Sequence, residues 1–217
     1  MAKIVPADKI RQIVAAAVER GAYRAKAFPA TYVAVDERVR LKCQIPLCPH
    51  YGRSLTCPPN VPTVDEFRKA LKRYRKAVLV QTRSPLTLPM DEVDRAEAMG
   101  YIEGHGTAAR KGAERSETAK NMDDMKLAAV KLHKLVNEVE TIAMNQGFPY
   151  ALGLIGGDCM LCSSCAGPGG ACRRPFQARP SMEGVGIDVV RTSIRAGLPF
   201  DIPPVTEVIW SGLILID

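Results

Sequence analysis

The sequence predicts an α/β fold in which a mixed or parallel sheet is flanked by helices and supports two cysteine-rich loops. Segments whose apolar residues recur every three or four positions alternate with short apolar segments of strand length. That alternation is typical of α/β domains. The chain has 217 residues, of which 47% are hydrophobic, so it can bury one substantial core. We therefore expect residues 1–217 to form a single domain.

The first half of the chain contains four predicted elements. Apolar residues at helical spacing predict a helix over residues 8–20. Alternation predicts a strand or hairpin over 31–42, directly before the first cysteine. Residues 63–66, Thr-Val-Asp-Glu, have the pattern of a capping box, so a helix is expected to begin there. A short buried strand is expected over 77–82.

The second half begins with a polar, glycine-containing excursion over 90–115, which includes His105. A long helix follows, and His133 on that helix is expected at the surface. The last helix is expected to be capped by Ser181. In order, the predicted elements are a helix over 117–146, a strand over 150–156, a helix from Ser181 to about Ala196 and a strand over 206–216.

Composition restricts the compartment and the partners. The chain has no signal-peptide pattern and no apolar run long enough to cross a membrane, so we expect a cytoplasmic protein without a membrane partner. Thiols stay reduced there, and seven cysteines cannot all pair, which favours metal ligation over disulfides. The formal charge is +7, and two anionic clusters would reduce it to about +4. Because aromatic residues make up only 6%, nucleic acid ranks second as an explanation of the charge.

Four of the cysteines fall in one loop, expected over 157–180. Three of them are separated by two residues each, which is the front part of the bacterial ferredoxin pattern. Three thiolates at this spacing favour a [4Fe–4S] cluster over zinc, whose knuckles usually need two. Three arginines nearby would offset the cluster charge, bind an acidic substrate or partner, or simply be solvated. The cysteines are Cys159, Cys162, Cys165 and Cys172, and the arginines are Arg173, Arg174 and Arg179.

The other three cysteines, Cys43, Cys48 and Cys57, fall in a second loop, expected over 43–62. A [4Fe–4S] cube held by three thiolates leaves one iron for another ligand. That ligand could be His50, a carboxylate, water, a substrate, or Cys172 in an exchange between centres. An open iron is a Lewis acid that can polarise a substrate. The two loops would lie on one side of the sheet if the strands that precede them are parallel, and far apart if these are antiparallel.

These residues resemble the predicted metal-binding proteins of domain-of-unknown-function family 2284. The resemblance rests on the pattern Cys-Pro-x-Tyr-Gly from Cys48, on Cys57-Pro-Pro, on the Cys-x2-Cys-x2-Cys run, and on Arg179-Pro-Ser-Met-Glu-x-x-Gly-Ile-Asp188. It extends over about residues 30–200. It implies cluster binding by the cysteines and an anaerobic setting, and it implies no established reaction.

Three functions fit the sequence. The first is an iron–sulfur protein with two [4Fe–4S] centres that transfers electrons in anaerobic metabolism, with a redox protein or a small molecule as its partner. The second is an enzyme in which an open iron of the three-cysteine cluster binds substrate. The third is a module in which zinc replaces the clusters and which binds nucleic acid or protein. The sequence has no dinucleotide fingerprint, P-loop or serine-hydrolase elbow.

Overall fold

The computed structural model describes residues 5–89, 92–94, 96–98, 100 and 116–217. Most of the expected excursion over 90–115, including His105, lies outside the described residues. The described chain is built on a four-stranded sheet with the order β1-β2-β4-β3. Its strands are β1 (Arg24–Pro29), β2 (Lys76–Pro85), β3 (Leu152–Ile155) and β4 (Glu207–Ile216).

The expectation of a mixed or parallel sheet is wrong, because all three strand pairs in the described sheet are antiparallel. The error has a topological cause. A long helix does connect β2 to β3, and these two strands run in the same direction, as a crossover connection requires. They are not neighbours, however, because the C-terminal strand β4 lies between them and pairs with both. Nothing in the local sequence of β4 specifies that insertion.

The helices pack against both faces of this sheet, and two 3-10 turns lie at Ala30–Tyr32 and Glu183–Val185. The capping box is confirmed: the Thr63 N–H donates to Glu66 Oε2 at 2.8 Å, and the Glu66 N–H donates to Thr63 Oγ1 at 3.3 Å. No helix in the described ranges is both long enough and apolar enough to cross a membrane. The helices are α1 (Ala7–Glu19), α2 (Glu37–Leu41), α3 (Val64–Leu71), α4 (Glu117–Asn145) and α5 (Val189–Ala196).

The strand expected over 31–42 is absent from this described segment, which forms a 3-10 turn and the short helix α2. The Asp36 side chain accepts a hydrogen bond from the Arg38 N–H at 2.9 Å and so caps α2. Val35 forms only an isolated bridge with Ile187. The strand in this part of the chain is β1, which lies before the expected segment. Its sequence, Arg-Ala-Lys-Ala-Phe-Pro, contains one residue with strong β-propensity.

The last helix is also shorter than expected. Gly186 adopts a left-handed conformation with φ +87°, which separates a 3-10 turn from α5. The N-cap of α5 is Asp188, whose side chain accepts from the Arg191 N–H at 2.9 Å. Ser181 caps the 3-10 turn instead, since its Oγ accepts from the Gly184 N–H at 3.2 Å.

Two apolar layers cover the two faces of the sheet. Alternate residues of β2 and β4 face helices α1 and α4, and the intervening residues face the segments that precede α3 and α5. Helix α4 approaches the sheet closely, because Val136 lies over two glycines, Gly153 in β3 and Gly212 in β4. This packing fixes β3, whose carboxyl end leads into the second cysteine loop.

Candidate metal centre

The two cysteine loops meet beside the carboxyl end of β3. After β3, two glycines lead directly to Asp158 and Cys159. The first loop reaches this point through Thr56, whose carbonyl accepts from the Ser181 N–H at 2.9 Å. The neighbouring Leu55 N–H donates to the sulfur of Cys165 at 3.5 Å. The loops are therefore adjacent, although the strand expected before the first loop does not exist.

The four cysteines of the second loop line one small cavity, together with Leu55 and Thr56 of the first loop. Two of their sulfurs accept backbone hydrogen bonds, because the Arg174 N–H also donates to Cys172 Sγ, at 3.4 Å. Burial, with added repulsion from Asp158, raises the pKa of the Cys159 thiol to about 11. A metal must therefore displace the proton, as thiolate ligation requires. The cavity is lined by Cys159, Cys162, Cys165 and Cys172 and by Arg173 and Arg174.

The three cysteines of the first loop line a second, larger cavity of about 510 Å³. Cys172 is not among its lining residues, so the structure does not bring Cys172 to the three-cysteine group. The polar lining includes His50, Asp158, Ser181 and Glu183 beside Cys43, Cys48 and Cys57. The apolar part of the lining includes Val189, Phe200, Ile202, Val208 and Trp210.

Burial dominates the electrostatics of this larger cavity. It raises the pKa of Cys57 to about 12, and it also raises the pKa of Cys43. It raises the pKa of the Glu183 carboxyl as well. Both oxygens of Glu183 are nevertheless engaged, since the Gly157 N–H donates to them at 3.3 and 3.0 Å and Ser181 Oγ donates to Oε2 at 3.0 Å.

Asp158 differs from Glu183 in its hydrogen bonding. Its side chain is only 8% exposed, and His50 Nδ1 lies 3.5 Å from its Oδ2. Among the described residues, Asp158 Oδ2 has no hydrogen-bond partner. Buried polar atoms are normally satisfied, so a buried carboxylate oxygen without a hydrogen bond in a cysteine-lined cavity is a candidate ligand.

Helix α4 holds the second loop in place through a polar stripe. The Arg179 N–H donates to His133 Nε2 at 3.1 Å, and Asn137 Nδ2 donates to the Gln177 carbonyl at 2.7 Å. The Arg179 guanidinium forms a buried ion pair with Glu140. His133 is 2% exposed, so the expectation of a surface histidine is wrong. Burial lowers the pKa of His133 to about 4, which keeps the imidazole neutral as an acceptor.

The cysteines of each set line one cavity, but their thiols do not converge on a single point. In the described part of the chain, no three His, Cys, Asp or Glu side chains are placed so that they could hold one metal ion. A [4Fe–4S] cube differs from a single ion, because each thiolate binds a different iron at a separate corner. All seven cysteines are free thiols.

Comparison with known proteins identifies the family. The family model DUF2284, described as predicted metal-binding protein, matches residues 26–216. The chain belongs to this family. No curated protein and no solved structure gives a significant match. In this DUF2284 protein, the segment from Arg179 to Asp188 has structural tasks: Arg179 pairs with α4, Glu183 holds the turn after β3, and Asp188 caps α5.

Sequence reasoning missed four residues of the site. Asp158 directly precedes Cys159, and that position was the only local signal for it. Glu183 lies in the motif from Arg179 to Asp188, which indicates the family but not the role of this carboxylate. His133 and Glu140 lie seven residues apart and therefore on one helical face, which is a signal for a shared contact. None of these signals identifies the partner, because the contacted segments are distant in sequence.

Proposed function

We propose that this protein is an iron–sulfur protein of the cytoplasm that holds two [4Fe–4S] centres and transfers electrons in anaerobic metabolism. The observation that supports the proposal is the division of the seven cysteines between two adjoining cavities, four in one and three in the other. Family membership supports metal binding in general and leaves the metal unspecified.

The residues present suit a cluster in the four-cysteine cavity. Four thiols line it, and N–H donors point at two of the sulfurs, which is a common way for proteins to tune a cluster. Arg173 and Arg174 line the cavity and would offset the negative charge of a four-thiolate cube. A bound [4Fe–4S] cluster supplies one-electron chemistry. The chain's own part is to fix the thiols, shield them from water and provide the compensating charge.

The surface over this cavity suits a redox partner. A groove of about 680 Å³ is lined by Cys162, Arg173, Arg174 and Phe176. Phe176 is 90% exposed. An exposed aromatic ring between arginines is typical of a docking surface for an acidic protein. We assign this groove to a redox protein that presents carboxylates.

The proposal is tested on anaerobically purified protein. We expect about eight irons per chain, a similar amount of acid-labile sulfide, and absorbance at about 400 nm. Cys162→Ser should lose about half of the iron, because a poorer ligand then stands in the four-cysteine set. Ser163→Ala, next to it, is the matched control and should keep all of it. Zinc without iron or sulfide, or full iron retention in Cys162→Ser, would contradict the proposal.

A second candidate is an enzyme in which an iron of the three-cysteine centre binds substrate as a Lewis acid. The observation that favours it is the larger cavity beside these cysteines, whose apolar wall and few polar groups are typical of small-molecule sites. EPR on adding small thiols or cyanide tests whether an iron of this centre accepts a ligand. Both candidates allow such binding, and chemical conversion of a bound small thiol by the wild-type protein would favour the enzyme.

A further inference from the structure

We propose that Asp158 is the fourth ligand of the three-cysteine centre and that His50 is its positioning residue. The inference rests on the proposed function, since it takes the three-cysteine group to hold a [4Fe–4S] cube. It adds a ligand that the cysteine pattern does not contain. It also assigns the class of that ligand, an oxygen donor in a site otherwise made of sulfur.

The geometry of Asp158 supports this role. Its carboxylate lines the same cavity as Cys43, Cys48 and Cys57. The side chain is 8% exposed, and Oδ2 has no hydrogen-bond partner within the described residues. The contact with His50 Nδ1 at 3.5 Å is too long for a good hydrogen bond, and a buried carboxylate oxygen without one costs free energy unless it binds a cation or receives a donor. An iron with an unfilled position provides that cation.

The other candidates for the fourth position are less well placed. Cys172 lines the four-cysteine cavity and is absent from the lining of the three-cysteine one. Glu183 faces the correct cavity, but its Oε2 accepts from the Gly157 N–H and the Ser181 hydroxyl, and its Oε1 shares the Gly157 N–H at 3.3 Å. His50 Nδ1 lies 3.5 Å from Asp158 Oδ2, so only its Nε2 could ligate, and His50→Gln would then raise the cyanide affinity more than Asp158→Asn does. Ligating carboxylates are themselves usually held by outer-shell groups, a role that Nδ1 is placed to fill.

An oxygen ligand gives this centre a different chemistry from its neighbour. Carboxylate is a harder donor than thiolate and binds an iron of a cluster less firmly. A soft exogenous ligand, such as cyanide, should therefore replace Asp158 more readily than it replaces any cysteine. The cavity of about 510 Å³ beside the carboxylate gives such a ligand room to enter.

The test begins with iron and sulfide analysis of the full chain, purified anaerobically. If the wild-type protein contains neither, the proposed function fails before the role of Asp158 is in question. If both are present, cyanide is titrated and followed by EPR of the reduced protein. Asp158→Asn should retain its iron, shift one EPR signal, and raise the apparent affinity for cyanide about tenfold, because an amide competes poorly for iron. Asp158→Cys should abolish the cyanide response, since a fourth thiolate closes the site.

Two further variants separate ligation from structure. Asp201→Asn removes the same charge at an exposed position and should behave as wild type. His50→Gln should give a cyanide affinity between those of wild type and Asp158→Asn, with the iron content unchanged. Wild-type EPR and cyanide affinity in Asp158→Asn would overturn the proposal, as would a wild-type cyanide response in Asp158→Cys. If Asp158→Asn loses one whole centre, retention of that centre in Asp158→Cys supports ligation, and its loss in both variants overturns it.

Discussion

The close approach of α4 to the sheet at Gly212 predicts a large effect for a very small substitution. A Cβ added at Gly212 would lie 2.5 Å from Val136 Cγ2, 3.2 Å from the Leu154 carbonyl oxygen and 3.3 Å from Leu132 Cδ1. Val136 is fully buried, and its β-branched side chain has one strongly preferred rotamer in a helix. The clash therefore cannot be relieved by a simple rotation, and Gly212→Ala should move α4 away from the sheet.

The magnitude follows from two opposing terms. Overpacking of a rigid core typically costs about 1–3 kcal/mol. Alanine stabilises a strand relative to glycine by about 0.5–1 kcal/mol. We therefore expect Gly212→Ala to lower the free energy of unfolding by about 1–2 kcal/mol. Gly169→Ala is the matched control, because a Cβ at that position meets no heavy atom of the described residues within 4 Å.

Urea unfolding under anaerobic conditions, followed by far-UV circular dichroism, measures the effect. Val136→Ala alone should cost about 1.6 kcal/mol from two lost methyl groups, with a further cavity term. Together with Gly212→Ala it should cost less than the sum, because the new methyl group fills the space of the lost ones. We expect a coupling of about 1 kcal/mol. Simple additivity of the two changes would refute the idea that Val136 limits the approach of α4.

Three other predictions concern the loops and their charges. His133→Gln should remove a pH dependence of stability, because burial lowers the pKa of His133 from 6.5 to about 4. The contribution of this histidine to the free energy of unfolding is complete above pH 6.5 and decreases as the pH falls towards 4, by about 2 kcal/mol at pH 5. Equal acid sensitivity of the two proteins in urea unfolding would contradict this. Chelated protein should be cut by protease first within 43–62 and 157–180, because metal-binding free energy is also folding free energy there, and equal resistance of holo and apo protein would be evidence against it. Arg174→Glu should slow electron transfer to an anionic mediator about tenfold at low salt and much less at high salt. Arg73→Glu, at another exposed arginine, is the control for that charge reversal. An equal effect of Arg73→Glu would show that the groove has no special part in electron transfer.

Elements with a strong local signal could be predicted from the sequence. Helix α4 was predicted over 117–146 and is observed at Glu117–Asn145 because its apolar stripe is long and its N-cap is a serine. Strands β2 and β4 were predicted from short apolar runs, Ala-Val-Leu-Val within β2 and most of β4. The grouping of the cysteines also followed from spacing, and the lining of the two cavities agrees with it. That they ligate a metal stays a prediction.

Features that depend on distant segments could not be predicted. The order of the strands depends on β4 inserting between β2 and β3, and only long-range pairing determines that. The burial of His133 depends on residues 177–179, more than forty positions along the chain. Asp158 resembled an ordinary loop carboxylate until the first loop was placed beside it. In each case the local sequence permits several outcomes, and the tertiary contact selects one of them.

The turn after β3 explains how one short segment can serve both cavities. A Cβ at Gly156 would lie 2.7 Å from the Ser211 carbonyl oxygen, and Gly157 has φ +79°, so this turn accepts no larger residue without strain. The turn places two consecutive residues, Asp158 and Cys159, on different cavities. Their Cα atoms are about 3.8 Å apart, as in any trans peptide. If both residues ligate as proposed, a single peptide unit links the two centres, and displacement of Asp158 by a ligand would act directly on a cysteine of the neighbouring cluster.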